Sequence, residues 1–141
     1  MSEFLGKAKR TMPQGPIVIF VCEHGAAKSI LAAAYFNKLA RDRNLSLRGI
    51  ARGTHPDPEL SAKTIAGLHA DGLTPTESIP TKLDEKDLES AQRIVSFCAL
   101  PDEYREKARA EYWDNVPPVS EDYERARDVI IEHLKALLNH L

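Results

Sequence analysis

The chain is poor in cysteine and has no long apolar run, and each shortage excludes a class of protein. Of 141 residues only Cys22 and Cys98 are cysteines, too few for the disulfide framework of a small secreted domain. The longest apolar stretches, such as "ILAAAYF" from Ile30 to Phe36, fall far short of the roughly 20 residues that a spanning helix needs. The first residues, "MSEFLGKAKRTMPQGP", carry basic side chains but no apolar segment behind them, so no secretory signal is expected. A net charge of -2 removes the strongly basic surface that would make nucleic acid the expected partner. What remains is an ordinary globular balance, 43% hydrophobic and 28% charged, at a length suited to one domain. The expectation is a cytoplasmic protein with free thiols, partnered by neither nucleic acid nor membrane.

Residues 1–15, with Gly6, Pro13 and Gly15, read as a flexible tail, and 16–141 as the folded domain. "IVIFVC" (Ile17–Cys22) is a continuous β-branched apolar run, the pattern of a strand buried on both faces of a parallel sheet. A helix follows over "SILAAAYFNKLARDR" (29–43), rich in helix formers and ending in a basic turn. "LSLRGIARG" (45–53) predicts a strand, "ELSAKTIAGLHADGL" (59–73) a helix closed by Gly72, and "DEKDLESA" (84–91) a short helix with Asp84 as N-cap. "RIVSFCAL" (93–100) predicts a second buried strand, 101–110 a polar helical stretch, "EYWDNV" (111–116) a last short strand and 121–141 a long amphipathic helix. Strands alternating with helices imply an α/β fold, because parallel strands need helical crossovers. The architecture expected is a single-domain three-layer sandwich, a four-stranded parallel sheet with helices on both faces.

In such sheets ligands bind beyond the carboxyl ends of the strands, and Cys22 sits at that end of the first strand. The segment "CEHGAAKS" (Cys22–Ser29) joins it to the amino end of the next helix. There, free backbone N–H groups and the helix dipole favour an anion, and Gly25 lets the chain turn closely around one. The same field favours the thiolate, the nucleophilic form of a cysteine. Lys28 adds a cation, and Ser29 a hydroxyl able to bond the sulfur. The turn by itself is equally consistent with a small buried cysteine finishing a strand. His24 is a further candidate for orienting an anion or adding positive charge, whereas Glu23 is out of place in an anion loop and has to point away from the ligand.

"VIFVCEHGAAKS" resembles the signature of the low-molecular-weight protein tyrosine phosphatase superfamily, which includes the thioredoxin-coupled arsenate reductases and carries C-x5-R-S after its first strand. The resemblance extends through "ARGTHPDPELSAKTIAGLHADGL", "PTKLDEKDLESAQRIVSFC" and "YWDNVPPVSEDYERARDVI". It implies that Cys22 attacks phosphorus to form a phosphocysteine, that residues 23 to 28 (Glu23, His24, Gly25, Ala26, Ala27 and Lys28) hold the phosphoryl oxygens, and that Ser29 assists the thiolate. It requires no cofactor and no metal. Two features depart from the signature. Lys28 replaces the arginine, giving a point charge where arginine gives a rigid fork. In "WDNVPPVS" a proline stands where the phosphatases place an Asp-Pro acid, which leaves Asp114 as the alternative acid, or as an ordinary loop carboxylate.

Cys98 ends "RIVSFC". With level register it emerges beside Cys22, since neighbouring strands lie roughly 4.8 Å apart, and the arsenate reductase branch carries a resolving cysteine at about this point. No third cysteine follows, so a reductase scheme would need an external thiol. Tyr104, Tyr112, Trp113 and Tyr123 are candidates for bordering the site. Three readings follow: a cysteine-dependent phosphatase acting on a phosphorylated protein or small phosphomonoester, with phosphotyrosine among the candidate substrates; an arsenate reductase-like enzyme using arsenate and a thiol donor; or a non-catalytic anion-binding module.

Overall fold

The computed structural model describes residues 15–141; apart from Gly15, the tail expected over 1–15 lies outside the described residues. Elements follow in the order β1 (Ile17–Cys22), α1 (Lys28–Asp42), β2 (Arg48–Gly53), α2 (Ala62–Ala70), α3 (Glu85–Ser90), β3 (Ala91–Ser96), α4 (Asp102–Arg105), β4 (Glu111–Tyr112) and α5 (Tyr123–Leu138). The strands form one parallel sheet in the order β2-β1-β3-β4. The chain thus leaves β1 first toward β2 and then crosses to β3 on the other side. This reversal creates a crevice at the carboxyl ends of β1 and β3, where such folds bind ligands.

The unbroken apolar run of β1 is explained by its central position. Val18 and Phe20 point into a core shared with α1 and α5, including Ile30, Phe36, Ile130 and Leu134. Ile19 and Val21, on the opposite pleat, join Leu83, Ile94 and Leu100 in a second core. Leu88 of α3 and Tyr104 of α4 pack against that second core, which makes helices on both faces and the expected three layers. Three consecutive alanines, Ala32, Ala33 and Ala34, are all buried in α1. Their small side chains let the helix lie close to its neighbours.

Local signals set the boundaries. Asp84 and Asp87 form a reciprocal capping box at α3, as the N-cap reading anticipates. Helix α2 begins after Ser61, whose hydroxyl accepts from the Thr64 N–H at 3.2 Å, and therefore starts later than the apolar pattern suggests. It ends where Gly72 takes φ +81°, with Gly72 N–H on the His69 carbonyl and Leu73 N–H on that of Leu68, a Schellman closure. Strand β3 is shorter than "RIVSFCAL". The Ser96 hydroxyl donates to the Cys98 carbonyl at 2.6 Å and accepts from the Cys98 N–H at 3.2 Å, so the chain bends away after Ser96 and Cys98 lies past the strand. Only one turn, α4, is helical in the stretch expected over 101–110, and β4 has two residues where six were expected.

Candidate active site

Strand β1 delivers Cys22 to the crevice, and Ser29, in the first turn of α1, meets it from the other end of the loop. The Cys22 Sγ lies 3.0 Å from Ser29 Oγ. In the thiol form the sulfur donates to the hydroxyl; once ionised, the sulfur accepts from it. Ser29 is fully buried and Cys22 nearly so, so this bond is protected from competing water.

The loop between them is held from outside by the segment that follows β2. Thr54 N–H donates to the Cys22 carbonyl at 3.2 Å, His55 to Glu23 at 2.7 Å, Asp57 to His24 at 3.0 Å and Ser61 to Ala26 at 2.9 Å. Four loop carbonyls are thereby turned toward residues 54–61. Among the described residues no protein acceptor takes the N–H groups of His24, Gly25, Ala26 or Ala27. Helix α1 adds its own free donors: its N-cap position is Ala27, with no side-chain cap and no acidic residue in the first turn. Carbonyls tied outward and donors left free are the arrangement that a cradle for an anion requires. Lys28 lines the same cavity and has no carboxylate partner among the described residues.

Gly25 makes the loop closure feasible. It adopts φ +61°, and a Cβ on it would lie 3.0 Å from both Cα and N of Gly53. A Cβ on Gly53 would in turn sit 2.7 Å from the Gly25 nitrogen. The two backbones therefore touch directly, which only glycine at both positions permits.

A cavity of about 480 Å³ opens over the cradle, lined by Cys22, Glu23, His24, Ala26, Ala27 and Lys28 together with Phe97, Cys98 and Pro118–Ser120. Gly25 and Ser29 do not line it. A larger cavity of about 700 Å³ lies beyond Phe97 and Cys98, lined by Arg105, Arg109, Tyr112 and Asp114 among others. Cys22 lines the smaller one, which is therefore the candidate site. Asp114 lines the larger cavity and not the one that Cys22 lines. Of the aromatic candidates, Trp113 and Tyr123 are buried in the core, Tyr112 lines the larger cavity and Tyr104 a third one. The aromatic side chain that borders Cys22 is Phe97.

Cys98 does share the Cys22 cavity. Burial pushes its thiol above the usual value, against hydrogen bonds from Ser96 and Thr54 that pull it down, with the charges of Cys22 and Glu23 pushing further up. Residues 54–61 are the part of the site that motif reading misses. Asp57, Glu59 and Ser61 line the cavity, yet in sequence "THPDPELS" carries only turn and cap signals. Among the described residues no group of histidines, cysteines and carboxylates is arranged to hold a metal ion, and no helix is long and apolar enough to cross a membrane.

No family model and no curated protein sequence matches the chain. Solved structures do. The arsenate reductase of Archaeoglobus fulgidus is 27% identical, over 86% of this chain and 98% of its own, with a TM-score of 0.72. The low-molecular-weight protein tyrosine phosphatase of T. tengcongensis is 17% identical, over 90% of this chain and 100% of its own, with a TM-score of 0.73. The arginine phosphatase YwlE of Bacillus subtilis, in a mutant with a phosphorylated active-site serine, is 20% identical over 89% of this chain and 95% of its own, with a TM-score of 0.74. The chain has the fold common to the low-molecular-weight phosphatases and arsenate reductases, and the structures it resembles are enzymes.

Proposed function

We propose that this chain is a cysteine-dependent phosphatase that hydrolyses phosphomonoesters through a phosphocysteine intermediate. The observation that carries the reading is the Cys22 sulfur, 3.0 Å from Ser29 Oγ, at the floor of a loop whose carbonyls are tied away and whose N–H groups are free. A phosphoryl group seated on those donors presents its phosphorus to the sulfur. As the P–O bond to the leaving group breaks, the P–S bond forms; water then attacks phosphorus and returns the Cys22 thiolate. Covalent catalysis divides one hard displacement into two. Lys28 supplies charge without a bidentate grip, so anion binding is retained and transition-state stabilisation is weaker than with arginine. The substrate is a phosphorylated protein or small phosphomonoester, and free thiols suit a cytoplasmic setting.

Cys98 in the same cavity supports a second reading, arsenate reduction, in which Cys22 forms a thiol–arsenate adduct with loss of water. A second thiol would attack the Cys22 sulfur, releasing arsenite and leaving a disulfide. The raised titration of Cys98 counts against it as that attacking thiolate, and the phosphatase reading is preferred. Assays with 4-nitrophenyl phosphate, and with arsenate plus a thiol donor, separate the two. The phosphatase reading expects aryl phosphate hydrolysis that Cys22→Ser abolishes and Cys98→Ser leaves largely intact. Turnover with arsenate plus the thiol donor and none with the aryl phosphate, dependent on both cysteines, would overturn it.

A further inference from the structure

A phosphatase of this kind needs a proton for the departing oxygen, and the segment after β4 offers none at the Cys22 cavity. Its contributions to the lining are Pro118, Val119 and Ser120, and Asp114 belongs to the other cavity. The ionisable side chains that do line the Cys22 cavity, besides the two cysteines, are Glu23, His24, Lys28, Asp57 and Glu59. Two of these are locked together. The His24 Nδ1 lies 3.1 Å from Asp57 Oδ1, and the Asp57 N–H donates to the His24 carbonyl at 3.0 Å. The pair therefore joins the anion loop to the β2–α2 segment through both side chain and backbone.

We propose that His24 and Asp57 form the acid–base pair of this site, with His24 exchanging protons at Nε2 and Asp57 as the positioning residue. The assignment rests on the phosphatase reading above. An ionised carboxylate only accepts hydrogen bonds, so Asp57 fixes the proton on Nδ1 and leaves Nε2 as the nitrogen that gains and loses one. Glu23 Oε1 is 3.9 Å from Nε2, beyond hydrogen-bond length, so Nε2 stays free for substrate. Imidazole suits the task because its ordinary titration lies near neutrality, where a general acid is most effective.

The proton balance closes over both steps. In the first, the Cys22 thiolate attacks phosphorus, the P–O bond breaks, and the Nε2 proton of the imidazolium goes to the leaving oxygen. The products are the alcohol or phenol, phosphocysteine and a neutral His24. In the second, a water gives a proton to Nε2 as its oxygen bonds to phosphorus and the P–S bond breaks. Inorganic phosphate leaves, and the thiolate and imidazolium are restored.

The test compares His24→Gln and Asp57→Asn with wild type on 4-nitrophenyl phosphate and phenyl phosphate, which share a phosphoryl group and differ in how much the leaving oxygen needs a proton. The His24 side chain is 59% exposed, so its replacement is not expected to impair folding, and circular dichroism checks this. His24→Gln is expected to lower kcat/KM for phenyl phosphate by roughly 10²–10⁴-fold, with a much smaller loss on the nitrophenyl ester, and to abolish the basic limb of the pH profile. Asp57→Asn is expected to lower kcat/KM for phenyl phosphate more than for the nitrophenyl ester, a split between leaving groups that a purely structural role would not produce. Equal losses on the two esters, or an unchanged basic limb in His24→Gln, would overturn the assignment while leaving the phosphatase reading standing. If wild type shows no Cys22-dependent hydrolysis at all, both fall together.

Discussion

The Cys22 sulfur and the Ser29 hydroxyl meet at 3.0 Å across the mouth of the loop that joins their elements. A hydrogen bond to a charged group contributes about 1.5–3 kcal/mol, and this one matters most when the sulfur is a thiolate, as nucleophile and as leaving group. Ser29→Ala is therefore expected to lower kcat by roughly 10–100-fold, with little change in inhibition by inorganic phosphate. Equal losses in turnover and phosphate affinity would show that Ser29 shapes the loop rather than serving the thiolate.

Lys28 stands at the end of the cradle with no carboxylate partner among the described residues. Lys28→Arg adds a guanidinium able to bridge two phosphoryl oxygens and is expected to raise kcat/KM for aryl phosphates. Lys28→Met should weaken inhibition by phosphate. A Lys28→Arg enzyme no faster than wild type would mean that the loop is built around lysine.

Gly25 and Gly53 touch backbone to backbone, and Gly53→Ala would place a methyl 2.7 Å from the Gly25 nitrogen. The loop has to move outward, at a cost of about 1–3 kcal/mol for overpacking. The expected result is a kcat/KM reduced by about tenfold or more, with helical content unchanged by circular dichroism. Full activity would show that cradle geometry tolerates the displacement.

Asp71, just past α2, accepts from Tyr35 at 2.6 Å and Tyr123 at 2.9 Å and pairs with Arg127 at 3.3 Å, tying α1, α2 and α5 together away from the site. Burial by itself would raise its carboxyl, but the two hydroxyls and the guanidinium outweigh it and hold the carboxyl below the usual value. Burial and the same carboxylate push both tyrosine hydroxyls well above their ordinary range. A depressed carboxyl stabilises the fold above its unfolded-state value and loses that contribution as pH falls through the folded-state value. Asp71→Asn is expected to cost roughly 1.5–3 kcal/mol at neutral pH, measured by urea denaturation. The gap to wild type should close on acidification below the ordinary carboxylate range. A gap independent of pH would mean that packing, not charge, holds this junction.

The sequence makes the strands and the position of Cys22 legible because their signals are local. An unbroken apolar run such as Ile17–Val21 has one good solution, a strand covered on both faces, and a cysteine at its end followed by glycine and a helix is contiguous information. Asp84, Ser61 and Gly72 act within a turn of where they stand. The second wall of the site is not local in this way. His24 meets Asp57 only because β2 pairs with β1, so that the segment after Gly53 runs beside the loop after Cys22. No spacing rule within either segment conveys that contact. Asp114 shows the converse: it stands close in sequence to an expected acid, yet the residues of its segment that line the Cys22 cavity are Pro118, Val119 and Ser120, while Asp114 lines the neighbouring one. Strand β3 ends earlier than its apolar pattern predicts, because Phe97 and Cys98 continue the apolar run while the Ser96 hydroxyl bends the backbone.

The account stands on Cys22 becoming covalently phosphorylated, and acid quenching during turnover of 4-nitrophenyl phosphate, followed by peptide mass spectrometry, measures this directly. The expected result is one phosphoryl group on the peptide containing Cys22, absent in Cys22→Ala and absent from the peptide containing Cys98. Sustained phosphate release with no adduct on Cys22, or release undiminished in Cys22→Ala, would contradict it.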